Sequence, residues 1–177
     1  MFSLNVPLPP AVDRLAADLH PKLAGFDRIR ERHTLVAKRF GAEDIGDRGR
    51  GPATKDVALA ALRDDLRPLL AETGSFDVTI SEIATFETPA RGPGPVVYLA
   101  VESDVLVRLH HRLCAAFDPV QGIEGDEYEP HVTLARGGDP STVDALLATD
   151  IDPIEWRVHE LELYDSEFRE VAGRIDL

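Results

Sequence analysis

Cysteine is almost absent. The single Cys114 excludes an intramolecular disulfide and a cysteine cage for a metal. Within Leu109-His110-His111-Arg112-Leu113-Cys114 it reads as a small hydrophobe on a helix face. No run of about 18 apolar residues occurs, so no helical membrane span is expected. The opening Met1-Phe2-Ser3-Leu4-Asn5-Val6-Pro7 lacks the basic start and long apolar stretch of a secretory leader, and reads as a first strand. Localisation is therefore expected to be cytoplasmic. Lysine is scarce as well: Lys22, Lys38 and Lys55 are the only three, against sixteen arginines. His-x-His pairs, Cys pairs and compact carboxylate clusters are missing, so neither a metal nor another cofactor is expected.

What remains is an ordinary globular composition with a strong acidic bias. The 177 residues, 44% hydrophobic, fit one domain, or two small lobes sharing a core. The net charge of -13 argues against broad electrostatic binding of nucleic acid, which uses basic surfaces.

The stretch Tyr128-Glu129-Pro130-His131-Val132-Thr133-Leu134-Ala135-Arg136 organises the rest. A His and a Thr two apart on a strand point the same way, because side chains alternate with period 2. A looser echo stands at Arg32-His33-Thr34-Leu35-Val36. Two such strands facing each other would surround one small anionic group, such as a phosphate, with imidazoles and hydroxyls.

Periodicity predicts the elements. Leu4 to Leu8 is a short strand. Val12, Leu15, Ala16, Leu19 and Leu23 predict an amphipathic helix from Pro10 to about Ala24. His33 to Phe40 is a strand. Gly41 to Pro52 is a mobile loop, read as solvated; the alternative has its Arg48 and Arg50 reaching a ligand. Thr54 caps a helix that Gly74 closes. Phe76 to Phe86 is a long strand, and Pro89 to Pro95 a midpoint linker. Val96 to Val101 is an apolar strand, and Asp104 caps a helix on which His110 and His111 read as surface or boundary residues. After the loop from Pro119 to Glu129 come a strand from His131, a short helix started by Ser141 or Asp139, and an eleven-residue alternating strand from Ile154 to Tyr164. In that alternation His159 faces solvent. Residues 167–176 form a last strand.

Set side by side, the halves repeat one unit: strand, helix, His-Thr strand, helix, long strand. The pseudo-repeats cover about 1–88 and 95–165 of a single bilobal domain, which implies approximate two-fold symmetry with a cleft on the axis. The pattern predicts an α+β fold with paired sheets and helices outside.

With these motifs, the chain resembles the 2H phosphoesterase superfamily, defined by two His-x-Thr/Ser-apolar motifs, one per lobe. Pro130-His131-Val132-Thr133-Leu134-Ala135-Arg136 is similar to the second motif of RNA 2',3'-cyclic phosphodiesterases, long labelled 2'-5' RNA ligases. The resemblance implies two antiparallel sheets facing a central cleft. It also implies metal-independent opening of a 2',3'-cyclic phosphate at RNA 3' ends to a 2'-phosphate, with weak 2'-5' joining in reverse. His33 and His131 are then the acid/base pair. Thr133 would donate to a non-bridging oxygen. Arg136, Thr34, Lys38, Arg39 and Tyr128 complete the candidate phosphate or substrate contacts, Tyr128 by stacking on a base. On a regular strand Arg136 points to the face opposite Thr133, so it reaches phosphate only where the strand ends at Gly137. The implied partners are RNA 3' ends or small cyclic nucleotides, the latter or a 2'-5' oligonucleotide being the alternative substrate. A monomer is expected.

The first motif departs from the pattern. Two residues after His33 stands Leu35; counting back from Thr34-Leu35, the histidine position falls on Arg32. A one-residue slip flips a side chain to the other face of a sheet, so His33 and Thr34 share a cleft only through a bulge. The expectation is that His33 faces the cleft and Thr34 lies elsewhere. The alternative places Arg32 in the cleft and leaves one imidazole, as in a non-catalytic RNA-binding member. Finally, abundant Asp and Glu with scarce Lys resembles proteins from salt-loving archaea. In molar salt the Debye length falls to roughly 3 Å, and local contacts to a polyanion survive while surface repulsion is screened.

Overall fold

The computed structural model describes residues 2–41, 44 and 54–177. Arg48 and Arg50 lie outside the described residues. The fold is α+β, with nine strands in one curled antiparallel sheet and four helices among the described residues. In chain order these are β1 (Phe2–Val6), α1 (Pro10–Leu23), β2 (Phe26–Ile29), β3 (Leu35–Phe40), α2 (Lys55–Ala71), β4 (Phe76–Phe86) and β5 (Val96–Glu102). There follow α3 (Asp104–Ala116), β6 (His131–Gly138), α4 (Pro140–Leu147), β7 (Ile154–Val158), β8 (Glu160–Asp165) and β9 (Glu170–Asp176).

The strand order is β7-β4-β5-β6-β3-β1-β8-β9, with β2 also paired to β6. One residue pair, Leu35 with Val132, joins β3 to β6. The two sheets expected from the sequence are therefore the two ends of one sheet, narrowly joined at its middle. Each end draws on both halves of the chain: β4 pairs with β5, while β8 pairs with β1.

The helices bury one stripe each. Val12, Ala16, Leu19 and Leu23 of α1, and Ala58, Leu62, Leu66 and Leu70 of α2, are buried at helical spacing. With Leu106, Leu109 and Leu113 of α3 they cover the apolar side of the sheet, where Leu4, Val78, Leu99, Leu134 and Leu163 are fully buried. Ser103, not Asp104, caps α3 by accepting from Leu106 N, and Asp139 caps α4 by accepting from Thr142 N. Thr54 precedes α2 with no side-chain cap bond.

Two sequence expectations need correction. The eleven-residue alternation from Ile154 is two strands broken at His159; β7 pairs with β4 and β8 with β1, so the break carries the chain between the two ends of the sheet. The inward positions change parity there, from Ile154, Trp156 and Val158 to Leu161 and Leu163, so the alternation itself slips where the partner changes. His110 is not at the surface but fully buried. Its two ring nitrogens are both engaged, which is what allows a polar ring to be buried.

Candidate active-site cleft

Where β3 and β6 part, a cleft of about 630 Å³ opens between the two ends of the sheet. His131, Thr133 and Arg136 reach it from the β6 side. Arg32, Thr34, Val36 and Arg39 reach it from β3 and the segment before it. Phe86, Arg91 and the loop ending in Tyr128 and Glu129 close the rim.

Arg136 reaches the cleft through a bulge. Val97 pairs with Ala135 and Tyr98 with Thr133, so Leu134 is an extra residue. Leu134 and Ala135 are both buried, and the alternation restarts with Arg136 on the face of Thr133. The regular-strand expectation, which turned Arg136 away, is corrected by this bulge. A similar irregularity lies in β3, where Leu4 pairs with Lys38 and Asn5 with Val36. There Ala37 and Lys38 are buried, and Arg39 shares the cleft with Val36.

His131 is fixed in orientation. Its Nδ1 lies 2.6 Å from the carbonyl of Glu129, to which it donates. Nε2 of the neutral ring is then the acceptor. Phe86 and Tyr98 meet the ring at a steep angle, each with its centroid 5.2 Å away. Burial pushes the pKa of His131 below the usual imidazole value; the charges of Arg39 and Arg136 act in the same direction, and the Glu129 carbonyl opposes them. Tyr98 donates to Glu129 Oε1 at 2.6 Å, which fixes the residue that holds His131.

His33 is not in the cleft. Its Nδ1 lies 3.4 Å from Asp13 Oδ1 on α1, and its side chain is 9% exposed. Thr34 lines the cleft in its place. The expectation for these two neighbours is thus reversed, and the cause is the course of the segment that joins β2 to β3. Arg28, Arg30, Arg32, Thr34 and Val36 take every second position and line the cleft or the cavity beside it. His33 lies between Arg32 and Thr34 on the other side, turned to Asp13 of α1 and next to the fully buried Leu35. The position matching His131 is occupied by Arg32, whose Nη1 lies 3.4 Å from the Tyr164 hydroxyl and donates to the carbonyl of Arg169.

Two other candidates have different surroundings from those expected. Lys38 is fully buried behind the cleft, its Nζ 2.8 Å from Glu124 Oε2 and 3.0 Å from the carbonyl of Asp118. Glu124 also accepts from the backbone N–H of Arg39 and of Val120. These bonds hold its carboxyl below the usual range against the opposing effect of burial. Tyr128 lines the cleft, but its ring is stacked on His110 at 3.7 Å and its hydroxyl donates to the Val36 carbonyl. His110 accepts from the N–H of Gly125 through Nε2, so Nδ1 donates to the carbonyl of Ala37. Lys38, His110 and Tyr128 thereby strap the rim loop to β3.

Among the described residues no three His, Cys, Asp or Glu side chains converge as metal ligands would. The cleft instead gathers cations in an acidic protein: Arg30, Arg32, Arg39, Arg91 and Arg136, facing Glu127 and the engaged Glu129. A concave site of one charge sign focuses field lines on an anion.

A family model described as the 2'-5' RNA ligase superfamily matches residues 34–168, well over half of the chain. The chain belongs to the 2'-5' RNA ligase superfamily. The match begins at Thr34, just past the position that Arg32 takes. No curated protein sequence matches. Solved structures with the fold of this 2'-5' RNA ligase superfamily member include TT0787 of Thermus thermophilus, at 18% identity and a TM-score of 0.60, covering 99% of this chain and 97% of that one. Escherichia coli LigT, solved with 3'-AMP, is similar at 18% identity and a TM-score of 0.58, covering 99% and 94%. A protein described as a phosphoesterase aligns at 18% identity and a TM-score of 0.59, covering 99% and 97%.

Arg30, Arg91, Phe86, Val36 and Glu129 line the cleft without having been singled out in the sequence. Arg30 carried a signal in the alternation Arg28-x-Arg30-x-Arg32-x-Thr34. Phe86 and Arg91 carried none, because their approach to His131 and Arg136 is made by tertiary structure.

Proposed function

We propose that the cleft binds the phosphate end of an RNA strand and that His131 works there as the sole acid/base imidazole. The reaction is slow, metal-independent opening of a 2',3'-cyclic phosphate to a 2'-phosphate. The observation that carries this reading is the pairing of an oriented, neutral His131 with Thr34, Thr133 and a ring of arginines in one cleft. The binding of 3'-AMP by the similarly folded LigT agrees with a nucleotide phosphate as ligand.

Nε2 of neutral His131 takes a proton from water as the water oxygen bonds to phosphorus. The bond from phosphorus to the 3' oxygen breaks, the 2' ester remains, and the 3' oxygen takes a proton from solvent. Thr34, Thr133 and the guanidinium of Arg32 stabilise charge on the non-bridging oxygens. Arg32 cannot serve as the general acid, because a guanidinium keeps its proton throughout the accessible range. The same step with a 5' hydroxyl in place of water, again breaking the bond from phosphorus to the 3' oxygen, gives weak 2'-5' joining. A second reading, phosphate-end binding without turnover, is favoured by Arg32 itself, which stands where a second imidazole is needed.

Opening of a 2',3'-cyclic-phosphate-ended oligoribonucleotide in the presence of EDTA separates them. The expected result is slow turnover that His131→Ala reduces by about 10² to 10⁴-fold. Absence of turnover with retained phosphate-end binding establishes the second reading.

A further inference from the structure

A second cavity of about 620 Å³ adjoins the cleft and shares Arg30, Arg91 and Arg136 with it. Arg28 and Asp27 of β2 complete the charged part of its wall. Arg28 stands directly across from Arg136 in the antiparallel pairing of β2 with β6. Like charges in such opposed positions are unfavourable. Here they act on each other, since the pKa of Arg136 is lowered by burial and by the charges of Arg30 and Arg28. No ion pair of Arg28, Arg30, Arg91 or Arg136 is formed among the described residues. Arg136 Nη1 donates to the carbonyl of Arg91 at 2.9 Å, which ties the guanidinium to the rim while leaving its other N–H groups for a ligand. The rim passes close there at Gly92, whose φ of 76° suits glycine.

Unneutralised guanidiniums crowded on one wall oppose folding, and local conflicts of this kind concentrate at functional sites. A polyanion relieves the conflict. Arg28 and Arg30 are two residues apart, one on β2 and one just past its end, roughly 6.6 Å on extended backbone. That spacing is of the order of the separation between successive phosphates in an extended single strand. From Arg30 the wall continues into the cleft, which shares that residue.

We infer that Arg28, Arg30, Arg91 and Arg136 form a second phosphate subsite, which takes the internal phosphodiester next to the terminal phosphate. The substrate class is then a single-stranded oligonucleotide and not a mononucleotide. The inference rests on the phosphate-end reading of the cleft.

The test compares binding of a 2',3'-cyclic mononucleotide with that of a trinucleotide bearing the same end. It uses the wild-type chain and an Arg28→Ala variant, Arg28 being exposed and lining the second cavity but not the cleft. Wild type is expected to bind the trinucleotide about tenfold more tightly than the mononucleotide. The variant should lose that advantage and keep its mononucleotide affinity. Its log-log salt slope for the trinucleotide should fall by about 0.7 for each phosphate contact removed. Equal weakening of both ligands, or a wild type that binds both equally, overturns the subsite. Binding of neither by wild type overturns both the subsite and the phosphate-end reading. Tight trinucleotide binding that depends on Arg28, without opening of the cyclic phosphate, leaves the subsite standing and overturns only the catalytic reading.

Discussion

β3 and β6 meet at one residue pair, yet they bring different chemistry to the cleft. From β6 come His131, Thr133 and, past a bulge, Arg136. From β3 and its approach come Arg32, Thr34 and Arg39, while Lys38 is turned behind to Glu124. The hydroxyls correspond; the groups beside them do not. The β6 side holds a titratable imidazole, and the β3 side a permanent cation. Binding of an anion needs charge and donors, which both sides supply. Proton transfer on both sides of phosphorus needs two groups that titrate near neutrality, and only one side supplies one.

Substitutions on the two strands sharpen the contrast. The largest stability effect belongs to Lys38→Met, which leaves Glu124 buried without its ammonium and should cost about 3–5 kcal/mol, measured by denaturant unfolding. A cleft-facing Lys38 would instead lose activity at unchanged stability. Next, Thr34→Val and Thr133→Val should each weaken phosphate-end binding by about tenfold. An effect at Thr133 alone would show that the β3 side takes no part. The smallest change is at His33. Its partner Asp13 has a side chain 75% exposed, and such pairs contribute about 1 kcal/mol or less. His33→Ala should leave binding and turnover within about twofold of wild type; a loss comparable to that of His131→Ala would restore His33 to the site.

The sequence already displayed much of this. Helix stripes such as Val12, Ala16, Leu19 and Leu23, and the strands around His131, follow from periodicity, since burial on one side leaves a readable period. His131 and Thr133 were legible because a regular alternation joins them. His33 was misplaced because a His-Thr dipeptide suggested a motif, whereas the course of the chain between β2 and β3 decides which of the two faces the cleft. Arg136 was a candidate whose route to the cleft was expected at the strand end; the bulge that turns it in leaves no mark in the residue types of Leu134 and Ala135. The short β2, with only Phe26 buried and Ile29 half-buried, has too little alternation to announce a strand. The burial of Lys38 and His110 depended on partners, Glu124, Gly125 and the Ala37 carbonyl, that lie far away along the chain or in the backbone.

The decisive measurement is the pH dependence of cyclic-phosphate opening by wild type and by Arg32→His, followed in parallel. With His131 as the only titrating catalyst, the wild-type rate should rise as pH climbs through the lowered pKa of His131, because the base must be neutral. It should then level off, because no second imidazole loses its proton. Arg32→His should be faster, by up to about 10²-fold, and its profile should turn over at higher pH as the new imidazole ceases to be an acid. A wild-type profile already bell-shaped about neutrality, or an Arg32→His variant no faster than wild type, would contradict a one-imidazole site.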